Sequence, residues 1–460
     1  MKIEVRNYRV ANTARKNDLH ITMNVSEGGK GITNVGAVIG MKDLSYFIGR
    51  VPNTAISMLY LASIVYAIDR SFARDKYSID GWSREFEVDI ALPSSNLFSQ
   101  NATLINRMLS YLTGDYWTCS FREFGGAIRL TNYRDSNYFD GITQVNLFSG
   151  GMDSLIGAID YMGRNPEGKL FLASHHDSNM AGPMVDQQRL IDYFKRKYSH
   201  RYLRLPNTPS VKIEADMPEE TSCRSRSLMF IAIAVVVASN SHINVEIPEN
   251  GSVSLNFPLS PSRRASCSTR TTHPMVVKML IELLPSLGVN VNISNPYEFC
   301  TKGEMVVQCA NISNLLEIVP ESNSCGKRGR KQYFYDHHDA THCGHCMPCM
   351  YRMAALQHYI NNLPDDEKAN VCDNTVYGNE MPSLFRRRGD ALTDDFYAML
   401  NFLKRPLTDD DIRKELRIAG MGTFLNINDY VQLVHRTRAE LMELVQIKGG
   451  SEVKQYMGLI

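Results

Sequence analysis

Apolar and polar positions alternate along Glu85–Leu92, with Phe86, Val88, Ile90 and Leu92 on one side. A period of two predicts a strand with one buried face. Lys2–Val10 and Leu19–Val25 are expected to be strands too. In Thr54–Ala73, the residues Ile56, Leu59, Tyr60, Ile64 and Ile68 recur near helical spacing and predict an amphipathic helix. Asn101–Leu112 predicts a second helix. Trp117–Phe124 and Ala127–Thr131 predict strands joined as a hairpin at Gly125-Gly126. Residues 1–140 are therefore expected to form an α+β module.

From residue 141 the pattern becomes a regular alternation. Val145–Phe148, Leu170–Ser174, His242–Ile247 and Val289–Ile293 predict strands. Leu155–Met162, Met184–Tyr198, Ser227–Ser239 and Pro274–Leu287 predict helices. Alternation at this spacing predicts an α/β fold, a doubly wound parallel sheet covered by helices, over residues 141–358. The loop after its first strand is where such sheets bind ligands. Residues 359–460 are polar and predict a helical C-terminal region; within it, Arg386-Arg387-Arg388 reads as a solvated face.

The longest apolar run, Leu228–Ala238, is too short to span a bilayer and predicts a buried helix or strand. The first residues, Met-Lys-Ile-Glu-Val, carry no signal-peptide hydrophobic region. A cytoplasmic protein without a membrane partner is the expectation. At 460 residues, two or three domains are expected. A net charge of +1 gives no bulk electrostatic reason to expect a nucleic-acid partner. Ten cysteines in a cytosolic chain point to metal or catalysis before disulfides.

Two segments carry chemistry. The first is Ser149-Gly150-Gly151-Met152-Asp153-Ser154, between a predicted strand and a predicted helix. Paired glycines let backbone N–H groups turn inward, the serines add hydroxyls, and a helix N-terminus adds partial positive charge. The turn suits a phosphate or pyrophosphate, and Asp153 is a candidate Mg²⁺ ligand. No Gly-Lys-Ser/Thr follows the glycines, so this is not a Walker loop. The second is Cys343-Gly-His-Cys346-Met-Pro-Cys349, with Cys325 upstream. Four thiolates at this spacing can close a tetrahedral, structural Zn²⁺ site. An iron–sulfur cluster is the chemical rival. His337, His338, His342 and His345 are lower-ranked substitutes. Cys223, Cys267, Cys300 and Cys309 lack ligand spacing and are expected to be small core residues.

The pattern Ser-Gly-Gly-x-Asp-Ser resembles the pyrophosphate loop of the ATP pyrophosphatase (PP-loop) superfamily. Together with the cysteine knuckle it resembles the 7-cyano-7-deazaguanine synthase (QueC-like) family over about residues 145–356. Arg226-Ser-Leu-Met-Phe230 looks like that family's Arg-Asn-x-x-Phe segment. Asn295-Pro296 with Thr301-Lys302-Gly303-Glu304 looks like its Pro…Thr-Lys-x-Glu stretch. The family's Asp, Tyr-Pro-Asp-Cys-Arg substrate loop is replaced here by Pro248-Glu249-Asn250-Gly251 and a segment ending Arg263-Arg264. Tyr66-Ala-Ile-Asp-Arg70, Trp82-Ser-Arg84 and Leu112-Thr-Gly-Asp115-Tyr-Trp117 look like the QueC-like proteins of bacterial anti-phage systems of the Qat and CBASS types.

The resemblance implies a PP-loop, HUP-like sheet. It implies ATP-dependent adenylation of 7-carboxy-7-deazaguanine with release of pyrophosphate, then transfer to an amine. The defence-system likeness implies that the amine is the N-terminus of a partner protein. The alternatives are a nitrile synthase using free base and ammonia, a tRNA-modifying enzyme, and a non-catalytic nucleotide-gated scaffold. ATP would sit over Ser149, Gly150, Gly151, Met152, Asp153 and Ser154, with Ser174 toward the adenine. Lys302 and Arg226 are candidates for the charge on departing pyrophosphate; each could equally be a surface or salt-bridge residue. His175 and His176 are candidate proton acceptors or plain loop surface. Glu249 and Asn250 are candidates for reading a guanine-like edge or for a plain turn, and Arg263 and Arg264 for a carboxylate clamp or for exposed loop charges.

Overall fold

The computed structural model describes residues 1–10, 18–27, 30–41, 43–47, 50–124, 139–178, 182–199, 201–205, 209–214, 219–241, 243–264, 269–328, 340–361, 363–364, 375, 377, 380–384 and 394–460. The expected Ala127–Thr131 strand and its hairpin, His337, His338, Cys267 and the Arg386–Arg388 run lie outside the described residues.

The strands are β1 (Lys2–Val10), β2 (Asp18–Glu27), β3 (Lys30–Gly40), β4 (Glu85–Leu92), β5 (Tyr116–Glu123), β6 (Gln144–Leu147), β7 (Leu170–Ala173), β8 (His176–Asp177), β9 (Tyr202–Leu203), β10 (Ser210–Glu214), β11 (Val245–Glu246) and β12 (Ile293–Ser294). They form two sheets. One is mixed, in the order β5-β4-β1-β2-β3-β10-β8; the other is all-parallel, in the order β12-β11-β6-β7-β9. The parallel sheet grows from β6 through β7 to β9 on one side and through β11 to β12 on the other. The chain reverses direction of travel between β6 and β11, which opens a crevice beyond their carboxyl ends.

The mixed sheet holds two strands from the middle of the chain that periodicity did not mark. β10 pairs antiparallel with β3, Val211 opposite Ile39, and β8 pairs parallel with β10. In β4 the alternation reads through to burial: Phe86, Val88, Ile90 and Leu92 are all buried.

Two helices separate the sheets. Asn53–Ser71 packs toward the mixed sheet and Arg226–Ser241 toward the parallel one, and they pack against each other. Every residue from Leu228 to Ser239 is buried. The apolar run is therefore a helix with no solvent face, each large side chain contributing roughly 1.5–3 kcal/mol by burial. Among the described residues no helix is long and apolar enough to cross a membrane. On the other face of the parallel sheet lies Met152–Arg164, buried with Leu155, Ile156 and Ile159 against Leu170 and Leu172.

The C-terminal region is helical. Asp394–Lys404, Asp409–Ile418 and Ile427–Lys448 enclose a core that reaches Met350 and Met353 of the helix Met347–Asn361. Ile427–Lys448 also reaches the crevice side. Its Glu440 accepts from Gly303 N at 3.2 Å and from the Thr301 hydroxyl, bracing the start of the helix Lys302–Val307, which Thr301 and Glu304 cap reciprocally.

Candidate functional site

β6 leads directly into the glycine turn. Gly150 has φ +91°, a left-handed conformation that side chains with a Cβ resist. A Cβ there would also stand 3.2 Å from Gln187 Cγ. Gly151 precedes the helix Met152–Arg164. Hydroxyls and backbone brace the turn: Gly151 N donates to Ser149 Oγ (3.3 Å), and Ser154 Oγ donates to Gly151 O (3.0 Å). From a distant segment, Asn323 N donates to Gly150 O (2.9 Å), and Met152 N donates to Ser324 Oγ (3.4 Å). Gln187 Nε2 donates to Ser149 O (3.3 Å) and His175 O (3.2 Å). Gly150→Ala is expected to cost about 1–2 kcal/mol in left-handed strain, read as a lowered melting temperature.

The turn opens into a cleft of about 460 Å³. Ser149, Gly151, Met152, Asp153, Ser154, Glu249, Lys302 and Arg226 line it, together with Asn323–Gly326. Gly157 lets the segment after β11 close on the Met152 helix: a Cβ there would lie 2.4 Å from Pro248 Cβ. This brings Glu249 beside Asp153.

Asp153 is the electrostatic centre of the cleft. Lys302 Nζ donates to both of its oxygens at 2.8 Å, and Asn250 Nδ2 donates to Oδ2 at 2.9 Å. Burial alone would raise this carboxyl; Lys302 and the surrounding hydrogen bonds outweigh it and hold the group below its usual range. Glu249 goes the other way. Burial, then the charge on Asp153, push it well above the ordinary carboxylate value, so it stays protonated beside its ionised neighbour. A raised folded-state pKa gives stability that is present below the unfolded value and lost as pH rises through the folded one. Glu249→Gln, which stays neutral, is therefore expected to gain on wild type in thermal melts as pH is raised from about 5 to 8.

The four cysteines converge as the spacing suggested. The sulfurs of Cys325, Cys343, Cys346 and Cys349 all lie within 4.8 Å of one another, and all four residues are buried. Cys346 Sγ is 3.4 Å and Cys343 Sγ 3.9 Å from Cys349 Sγ. Sulfurs at about 2.3 Å from a zinc ion in a tetrahedron would stand about 3.8 Å apart. Lys327 N and Cys343 N each donate to Cys325 Sγ at 3.4 Å, which suits a thiolate. Thiols this close cannot all ionise alone. Hydrogen bonds from Cys325, Cys346 and Cys349 pull Cys343 far down, bonds with Cys325 and Cys343 push Cys346 up, and burial followed by the same neighbours raises Cys349. A divalent cation would remove that conflict. The donor set fits a possible zinc site, and Cys325 also lines the cleft.

Other expected site residues do not line the cleft. Ser174 does not line the cleft; its Oγ donates to Phe148 O at 2.9 Å. Asn250 is fully buried, its Oδ1 accepting from Val253 N at 3.0 Å to cap the helix Gly251–Leu255. Arg263 donates to Asp395 (2.7 Å) and Arg264 to Glu415 (2.7 Å); both face the C-terminal helices, whose carboxylates satisfy them. His175 is not loop surface. Its ring is fully buried between Tyr66 and Phe230, and burial, then the Arg226 and His176 charges, keep it neutral. Cys309 is buried, but Cys300 and Cys223 are only partly so, and Cys223 lines the cleft.

Gln187, Asn323 and Ser324 brace the turn, and no local motif marked them. Nor did one mark the Asp186–Arg328 pair (2.8 Å) that also lines the cleft. Behind the cleft, the N-terminal landmarks meet in one buried network. Arg84 donates to Asp69 (2.6 Å) and Asp115 (2.8 Å), Arg74 donates to Asp115 (2.7 Å), and Asp69 accepts from Ser225 N (3.0 Å) and Ser225 Oγ (2.7 Å). Tyr66 and Arg70 both donate to Asp177. Compared with known protein families and with curated proteins, the chain matches none.

Proposed function

We propose that this protein is an ATP-dependent carbon–nitrogen ligase of the PP-loop, QueC-like kind, built on a doubly wound sheet. It adenylates a 7-deazaguanine carboxylate, 7-carboxy-7-deazaguanine, with release of pyrophosphate, and passes the acyl group to the N-terminal amine of a partner protein in anti-phage defence, AMP departing as the amide forms and the amine loses a proton. The observation that carries this reading is the glycine turn. It opens a helix, sits at the reversal point of a parallel sheet, and lines a cleft large enough for a nucleotide.

ATP's phosphate tail would lie against the turn, where the N–H groups at the start of the Met152 helix and its dipole favour negative charge. The acid's oxygen attacks the α phosphorus as the bond to the β-phosphate oxygen breaks, and charge accumulates on departing pyrophosphate. Lys302 would follow that charge from its place on Asp153. A Mg²⁺ ion would have to take Lys302's place on Asp153, with Glu249 beside it, and would supply further neutralisation. The structural zinc would hold the Asn323–Gly326 wall.

Pyrophosphate release is the test. Mixing the protein with ATP and 7-carboxy-7-deazaguanine is expected to release pyrophosphate only when both are present. A co-expressed partner is expected to gain a deazaguanine-sized mass at its N-terminus. No pyrophosphate with this acid would refute the adenylation step. Release without an adduct, and nitrile formed from ammonium instead, would move the activity to free-base synthesis.

A further inference from the structure

Three cations line the cleft among the described residues where a ligand's charge could be met. Two are occupied: Lys302 by Asp153 and Arg328 by Asp186. Arg226 is the exception. It has no carboxylate partner among the described residues, and its Nε is buried without a hydrogen bond. Its guanidinium stands 5.5 Å from the centre of the Phe230 ring, which also lines the cleft. The hydroxyls of Ser227 and Thr272 line the same cleft and are likewise buried and unpartnered, and Thr272 is only 7 % exposed. Ser222 Oγ, on the same lining, is a fourth such atom. Buried polar groups almost always find partners, so four unsatisfied ones around one cleft point to a ligand.

We infer that Arg226 and Ser227, at the first turn of the helix Arg226–Ser241, and Thr272, two residues before the helix Pro274–Ser286, form the seat for the carboxylate of the acid substrate; the inference rests on the adenylation reading above. One guanidinium and two hydroxyls match a single carboxylate, whereas the triphosphate has the N–H groups of its own helix start. Phe230, with the guanidinium over its ring, adds an apolar wall to the cleft beside that seat. The seat is held rigid from behind. Asp69, fixed by Arg84, accepts from both Ser225 N and Ser225 Oγ, and so sets the backbone from which Arg226 and Ser227 project.

The test compares 7-carboxy-7-deazaguanine with 7-deazaguanine, which lacks the carboxylate, by calorimetry on the full chain. A non-hydrolysable ATP analogue is titrated separately. Wild type is expected to prefer the acid by roughly tenfold or more. Arg226→Gln should erase that preference and leave affinity for the analogue within about twofold, and Arg226→Lys should restore part of the preference. Should Arg226→Gln not fold, Ser227→Ala and Thr272→Val must each reduce the preference. The inference is overturned if the preference is absent in wild type, if it survives these changes, or if Arg226→Gln weakens the analogue as much as the acid. Wild type that does not hold the analogue at all sinks the adenylation reading itself.

Discussion

Replacing Asp153 by Asn is expected to stop pyrophosphate release and to destabilise the protein by about 3–5 kcal/mol at pH 5. The size follows from what is left behind. Lys302's side chain is 4 % exposed and is held by both oxygens of one carboxylate. Asparagine keeps the shape and removes the charge, leaving a buried ammonium uncompensated. Glu249 sets the pH dependence. Once Asp153 carries no charge, nothing opposes ionisation of Glu249 except burial, and Lys302 favours it. Glu249 can then take over as counter-ion, so the deficit should shrink as pH rises past neutrality. Urea melts at pH 5 and 8 measure both figures. Adding Glu249→Gln should abolish the recovery at pH 8, and adding Lys302→Met should recover stability at both pH values. A deficit independent of pH would show that Asp153 acts through shape and not through charge.

Cys343→Ser is expected to be the more damaging change. Structural zinc in small peptides is bound with apparent energies of about 10–16 kcal/mol, and that binding is folding energy. Purified wild type should carry one zinc per chain, and cobalt in its place should give the absorption of a four-thiolate site. Cys343→Ser should lose the metal and melt far lower. The damage should reach the nucleotide cleft, since Asn323 and Ser324, just before Cys325, hydrogen-bond the backbone of Gly150 and Met152. A chelator-treated protein that keeps its melting temperature would refute the structural role. A brown protein with iron and sulfide would replace zinc by a cluster.

Local signals in the sequence were strong wherever one residue's neighbours decide its structure. β4 occupies the expected residues Glu85–Leu92, and the helix expected at Pro274–Leu287 runs Pro274–Ser286, its start fixed by Pro274 and by His273 Nδ1 accepting from Met275 N. The glycine turn and the four cysteines were legible for the same reason: their chemistry needs a fixed spacing. What stayed hidden depends on pairing across long separations. β10 and β8 are short; β10 gains its stability from β3, a strand the pattern did not mark, and β8 gains its own from β10. The strand expected at Val289–Ile293 pairs only at Ile293–Ser294, because its partner β11 offers just two residues, Val245 and Glu246. Arg263 looked available for a ligand because sequence does not reveal Asp395 beside it. Arg226 was a candidate for ligand charge or for a salt bridge, and the choice waited on the absence of a neighbouring carboxylate among the described residues.

The insertion of β10 beside β3 has a consequence for synthesis of the chain. β3 ends at Gly40, and its outer neighbour is complete only at Glu214. At about 5–20 residues per second, the ribosome leaves that strand's edge unpaired for roughly ten to thirty seconds. Through that interval the nascent chain presents an open row of amides and carbonyls to other nascent chains. Co-translational protection by a chaperone, or a slow passage through residues 140–214, should therefore govern how much of the protein is recovered native.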